Sequence, residues 1–141
     1  MKCTTIQHET NRGKGQVIAK AFAAASNEVV VTLDSDTILE KQATRSLVSP
    51  LVLGSDIGGA AGRLSVLNVH TEGLKSFVPR TLNCFFEQND NIPRAAPSKH
   101  GFIIILPGAI SAIQRQAYQP HVQRLVNAKF LGKPLLHGED V

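Results

Sequence analysis

The stretch Glu28-Val-Val-Val-Thr-Leu33-Asp34-Ser-Asp36-Thr37-Ile-Leu-Glu40 decides how the chain folds. Glu28 to Leu33 is a β-branched run of strand length, apolar nearly throughout, as expected of a parallel strand covered on both faces. Thr37-Ile-Leu-Glu40 is a capping box in which Thr37 caps and Glu40 reaches back, so the pattern predicts a helix from Ile38 to about Val48. Ser49-Pro50 should stop that helix. Asp34 and Asp36 then fall between the carboxyl end of a buried strand and the amino end of a helix. In open α/β sheets that is where ligands bind.

Working outward, residues 3–7 read as a short strand and Gly13 to Ala25 as a helix, with Val17, Ile18, Ala21, Phe22 and Ala25 at 3–4 spacing and Asn11 able to cap its start. Gly58 to Asn68 looks like another strand. Thr71 to Gln88 has helical periodicity, with a kink or break expected at Pro79. Residues 89–100 hold two prolines and read as loop, Phe102 to Leu106 as strand, Pro107-Gly108 as turn, and Ala109 to Ile113 as strand or helix start. Residues 116–131 carry a helical pattern that Pro120 would begin. The alternation of strand and helix points to an α/β fold with a mixed, mostly parallel sheet.

Composition narrows the function classes. The 141 residues suit one domain, and 43% hydrophobic with 18% charged residues is a globular balance. No apolar run approaches the roughly 18–20 residues of a membrane span. The two cysteines, Cys3 and Cys84, cannot form a disulfide framework and read as free thiols. A net charge of +4 and a pI near 9.3 raise the question of nucleic acid. The basic residues are scattered singly, though, and six Phe with one Tyr make no aromatic-basic ladder, so no nucleic-acid partner is expected. A positive surface that tolerates a phosphorylated small molecule fits at least as well.

Three segments can carry chemistry. Asp34-x-Asp36 can hold a hard divalent cation between its carboxylates and a diphosphate, although aspartates also serve simply as turn formers. Asn11-Arg12-Gly13-Lys14-Gly15 can cradle a phosphate at a helix amino terminus, or be an ordinary basic helix start; it lacks the spacing of a Walker loop. Gly138-Glu139-Asp140 supplies a carboxylate that can act as general base, or is a solvated tail. The five histidines show no metal-ligand spacing, so zinc is not expected.

The order of these segments carries more than any of them alone. Asn11-Arg-Gly-Lys14-Gly, Asp34-Ser-Asp-Thr37, Gly62-Arg-Leu-Ser-Val-Leu-Asn68, Leu106-Pro-Gly-Ala-Ile-Ser-Ala112 and Gly138-Glu-Asp140 follow one another along nearly the whole chain. The series resembles the family 2 glycosyltransferases of GT-A fold, nearest to the processive branch with chitin, hyaluronan and cellulose synthases and the nodulation-factor N-acetylglucosaminyltransferases. The resemblance implies a Rossmann-like nucleotide-diphospho-sugar transferase domain, with its nucleotide-sugar half at about 1–68 and its acceptor half at about 69–141. Asn11 and Lys14 would lie near the nucleotide of a UDP-sugar, Asp34 on the ribose and sugar side, and Asp36 on a Mg²⁺ or Mn²⁺ ion. Pro107, Gly108 and Ala109, with Glu139, would border the acceptor sugar, and Asp140 would be the base that deprotonates its hydroxyl. The reaction implied is metal-dependent, inverting transfer to a glycan, at the cytoplasmic face of a membrane that the parent protein reaches through parts absent from this chain.

The departures from that family are specific. Its members begin with an earlier strand and an acidic residue that hold the uridine. Processive members carry a Gln-x-x-Arg-Trp motif after the Glu-Asp, followed by membrane helices. The chain has no tryptophan, so it reads as a truncated middle of such a domain, inactive by itself. Two other readings stay open: a sugar-nucleotide nucleotidyltransferase, and a non-catalytic remnant that binds UDP weakly.

Overall fold

The computed structural model describes residues 4–7, 13–54, 56–69, 73–103, 106–127, 129–131 and 133–134. Its centre is a three-stranded sheet of β1 (Val29–Leu33), β2 (Gly59–Ala61) and β3 (Ile110–Gln114) in the order β1-β3-β2. Helix α1 (Lys14–Ala24) precedes β1, and α2 (Ala43–Leu53) links β1 to β2. Between β2 and β3 come α3 (Phe77–Asn89), a π turn (Asp90–Arg94) and α4 (Ala95–Ser98). After β3 the chain forms α5 (Arg115–Tyr118), a 3₁₀ turn and α6 (Val122–Val126), and then the two-residue strands β4 (Lys129–Phe130) and β5 (Lys133–Pro134).

The mostly parallel sheet is corrected here. β3 pairs antiparallel with β1 (Val31 opposite Ala112) and with β2 (Ala60 opposite Ala112), so both ladders of the sheet are antiparallel. β1 and β2 do run in the same direction, as a β-α-β unit requires, but β3 is inserted between them. Alternation of elements along the chain cannot reveal such an insertion, because it is made by a strand 79 residues further on. Among the described residues β1 is therefore an edge strand; its first four residues are half-buried and Leu33 is 45% exposed. The bonds Asp34 N–H to Ala109 C=O and Arg115 N–H to Glu28 C=O fix the phase of that ladder. Even-numbered residues of β1 bond to β3, and Val29, Val31 and Leu33 turn their peptide groups to the open edge.

The core lies on one face of this sheet. Leu47 and Leu51 of α2 pack on Ile110 and Ala112 of β3, with Val29, Val31, Val48, Ala60 and Leu64 around them. Leu47 and Leu51 are one helical turn apart and both buried, which explains why α2 holds its course through Pro50. The expected stop at Ser49-Pro50 is thus corrected: the proline forfeits one intrahelical bond, while leucine burial fixes the helix on both sides of it. Leu51→Ala is expected to lower stability by about 2–4 kcal/mol, measured by urea unfolding with an unchanged m-value.

Other boundaries moved for local reasons. The Thr37 N–H is taken by the Asp34 carbonyl at 3.1 Å, closing a turn, and the helix starts five residues later than expected, at Ala43 behind Gln42. The capping box therefore caps nothing. Pro79 is the third residue of α3, in the first turn, where its missing N–H is no loss, so the expected kink or break does not arise. Residues 90–98 are helical and not loop, because Arg94 pairs with Asp90 across one turn. Residues 4–7 form no strand, and neither do Phe102, Ile103 and Leu106; residues 1–3, 104 and 105 lie outside the described ones.

The segment after β2 shows how sheet bonding ends. Gly62 N–H still bonds to Ile110 C=O, at 3.2 Å. Beyond it the Leu64 N–H is taken by Asp90 Oδ2 and the Val66 N–H by Asn83 Oδ1. Alternate peptide groups are thus satisfied by helix side chains where a strand had been expected to Asn68.

Helix α1 packs against the elements that follow β3. Phe22 of α1 stacks on Tyr118 of α5 with ring centroids 4.1 Å apart. Arg115 ties the same helix down through a 2.7 Å bond from Nη1 to the Ala25 carbonyl. The Tyr118 hydroxyl is buried without a hydrogen-bond partner among the described residues, and burial pushes its pKa above the usual tyrosine value.

Candidate functional site

At one end of the sheet, three of the segments singled out in the sequence meet. β1 runs out into the Asp34–Thr37 turn, and β3 is entered from the Pro107-Gly108-Ala109 turn. Their antiparallel register sets Leu33 opposite Ile110, so the next pair outward is Asp34 beside Ala109. The Asp34 N–H donates to the Ala109 carbonyl at 3.0 Å. The third segment arrives through α1, whose first residue, Lys14, places Nζ 3.2 Å from Asp34 Oδ1.

Each part is held by its own local chemistry. Gly13 is the N-cap of α1, with φ +82° and buried, a conformation that favours glycine and lets the chain turn sharply into the helix. Asn11, expected as the cap, lies outside the described residues, and the cap position belongs to Gly13. Pro107 is buried, which anchors the turn that carries Ala109. One step inside the two turns, Thr32 Oγ1 and Ser111 Oγ lie 2.7 Å apart, and Ser111 is 3% exposed. Strand alternation places Thr32 with Asp34, and Ser111 with Ala109, on the sheet face away from Leu47 and Leu51.

The electrostatics are those of an open, water-screened cluster. The side chains of Lys14 and Asp34 are 38% and 39% exposed, so water screens the pair, which is worth about 0–1 kcal/mol and is readily broken. Asp36 is exposed at the tip of its turn. Among the described residues no group of three or more His, Cys, Asp or Glu converges. Asp34 and Asp36 thus offer two carboxylates on one turn, a hard oxygen donor set of the kind that Mg²⁺ supplements with substrate oxygens. Helix α2 starts only at Ala43, so α1, beginning at Lys14, is the helix whose start lies beside Asp34.

Glu139 and Asp140 lie outside the described residues, as do Asn11 and Arg12. Sequence reasoning missed Thr32 and Ser111, whose signal is a lone hydroxyl two residues inside each motif. An open groove of about 710 Å³ runs along α3 between Phe77, Arg80, Cys84 and Phe85, and shares no residue with the cluster at the sheet end. Among the described residues no helix is long and apolar enough to cross a membrane.

Comparison with known proteins bears on the same segments. Residues 5–140 match the model of the chitin synthase-like glycosyltransferase domain. The hyaluronan synthase of Streptococcus pyogenes is 29% identical over 130 residues, which cover 92% of this chain and 30% of that protein. An N-acetylglucosaminyltransferase of Azorhizobium caulinodans is 25% identical over 135 residues, covering 96% of this chain and 33% of that protein. Hyaluronan synthase 3 of Mus musculus is 26% identical over 130 residues, covering 91% and 23%. The chain spans about a third or less of the length of these relatives.

Proposed function

Because the chain belongs to the chitin synthase-like glycosyltransferases, we propose that it is the donor-binding core of a metal-dependent, inverting sugar transferase of GT-A fold. Its donor is a UDP-sugar and its acceptor a growing glycan, as in polysaccharide synthesis. The observation that carries this reading is the convergence of Lys14, the Asp34–Asp36 turn and Ala109 at one sheet end.

Lys14 and Asn11 bind the nucleotide, and Asp34 orients the ribose and sugar. Asp36 would hold Mg²⁺ or Mn²⁺, and that ion, when bound, would supply Lewis-acid neutralisation of the charge left on the departing diphosphate. The Lys14–Asp34 contact is weak enough to yield, so Lys14 can turn its charge to a phosphate oxygen when donor enters. The Pro107–Ala109 turn and Glu139 border the acceptor. The Asp140 carboxylate takes the proton of the acceptor hydroxyl, whose oxygen attacks the anomeric carbon opposite the leaving diphosphate and inverts it. General-base assistance of this kind is worth about 10²–10⁴-fold. We place the reaction at the cytoplasmic face of a membrane, reached through other parts of the parent protein.

Titration calorimetry of the 141-residue chain with UDP, with and without Mn²⁺, tests the reading. Binding heat that requires the metal is the expected result. Heat that is absent, or indifferent to metal, would favour the non-catalytic remnant.

A further inference from the structure

The two turns of the proposed donor site are joined by a single backbone bond, Asp34 N–H to Ala109 C=O, at 3.0 Å. Hydrogen bonding within the sheet continues that contact inward at the next bonded pair, Thr32 opposite Ser111. There the strands are joined a second time, side chain to side chain, by the 2.7 Å hydroxyl contact. Thr32 is the one polar side chain in the run Val29–Leu33. Ser111 is nearly without solvent contact, flanked by the buried Ile110 and Ala112. A hydroxyl in such a place needs a partner, and the Ser111 hydroxyl finds it in Thr32, whose Oγ1 also lies 3.5 Å from the Ser111 carbonyl oxygen.

Resting on the donor-site reading above, we propose that Thr32 and Ser111 are positioning residues for donor binding: their hydroxyl pair clasps β1 to β3 one step beneath Asp34 and Ala109. The pair is specific to one register. A slip of β1 by one residue would turn Thr32 to the apolar face, against Leu47 and Leu51, and leave Ser111 buried and unpaired. Asp34 and Ala109 lie just beyond Leu33 and Ile110, the last pair of the ladder, and the Lys14 contact beside them is half-exposed, so the hydroxyl pair adds a side-chain link next to the ladder's open end. The clasp thus sets which carboxylate faces which turn without touching the ligand.

The test uses the full chain and four variants: Thr32→Val, Ser111→Ala, their double, and the exchange Thr32→Ser with Ser111→Thr. Thr32→Val leaves the buried Ser111 hydroxyl without its Thr32 partner and should lower the melting temperature; in Ser111→Ala the half-buried Thr32 hydroxyl keeps its 3.5 Å contact to the carbonyl of residue 111, so the fall should be smaller. The double leaves none unpaired and should melt near wild type. Metal-dependent UDP affinity is expected to fall about tenfold in both singles and to stay low in the double, as for the loss of one positioning hydrogen bond. The exchange variant keeps both hydroxyls and should bind as wild type does. Amide hydrogen exchange at Asp34 reads the clasp without any ligand and should quicken about tenfold in the double. Wild-type affinity in the double, or unchanged exchange at Asp34, overturns the clasp. A wild-type chain that binds no UDP with Mn²⁺ overturns the donor-site reading, even where the exchange result stands.

Discussion

Asp36→Asn is expected to weaken Mn²⁺-dependent UDP binding by about 100-fold or more while leaving the melting temperature where it is. The two halves of that result have separate causes. Asp36 is exposed at the tip of a turn whose closing bond, Thr37 N–H to Asp34 C=O, is made by backbone alone. A surface substitution of this kind stays within about 0.5 kcal/mol of neutral. Asparagine keeps the shape and one oxygen but loses the charge that a hard divalent cation requires, a larger loss than the 10–100-fold typical of outer-shell changes at metal sites. Lys14→Met is the control, since it removes the partner of Asp34 but no metal ligand. It should weaken UDP by about tenfold and keep the metal dependence. In a longer protein that transfers sugar, Asp36→Asn and Asp140→Asn should each abolish turnover. Equal affinity of Asp36→Asn and wild type for UDP with Mn²⁺ would remove Asp36 from the metal role.

Gly62→Ala carries the other large effect, on folding. A methyl group on Gly62 would collide with Ile110 Cγ2 and sit 3.4 Å from the Ile110 carbonyl oxygen. Neither side can yield cheaply. Gly62 is bonded through its N–H to that same carbonyl at 3.2 Å, and Ile110 is 4% exposed in the core beneath Leu47 and Leu51. Overpacking of this kind costs about 1–3 kcal/mol, and contact with a β-branched side chain in a bonded strand pair belongs at the upper end. That is a fall of roughly 8–12 °C in melting temperature for a domain of this size. Ile110→Leu removes the offending Cγ2 branch, so the double variant should recover part of the loss, a coupling that a double-mutant cycle measures directly. Ile110 adjoins Ala109, so Gly62→Ala should also weaken UDP with Mn²⁺. Additive single effects would mean that the two residues do not compete for the same space.

How much of this was legible in the sequence differs by element. β1 was, because a run of valines has few uses other than a strand, and the placement of Asp34 and Asp36 beyond its carboxyl end followed from it. The strand nature of Ile110–Gln114 was half legible, since the sequence allowed a helix start there as well. The direction of the sheet was not legible, because the pairing of β1 with β3 leaves no local trace. Nor was the true start of α2. Thr37 and Glu40 satisfy the capping pattern, yet the Thr37 N–H was already committed to the turn that carries the aspartates. Pro50, Pro79 and Pro93 misled in the same sense: each lies within a helix or helical turn held by burial, by first-turn position or by the Asp90–Arg94 pair. The candidate site was legible as a set of segments. Their meeting was not, since it depends on the register that joins Leu33 to Ile110.

That long-range register also bears on when the site comes into being. Thr32 and Ser111 are 79 residues apart in sequence, and Asp34 finds Ala109 only after a loop of comparable length has closed. Closing so long a loop is slow and entropically costly, and contacts that depend on it form late in folding. Helices α1 and α2 can form early from local contacts, but an intermediate lacking β3 would not bring together the residues of the proposed donor site. Binding a nucleotide would therefore reward only the fully closed sheet, and should raise global stability by RT ln(1 + [L]/Kd) while slowing unfolding more than it speeds folding.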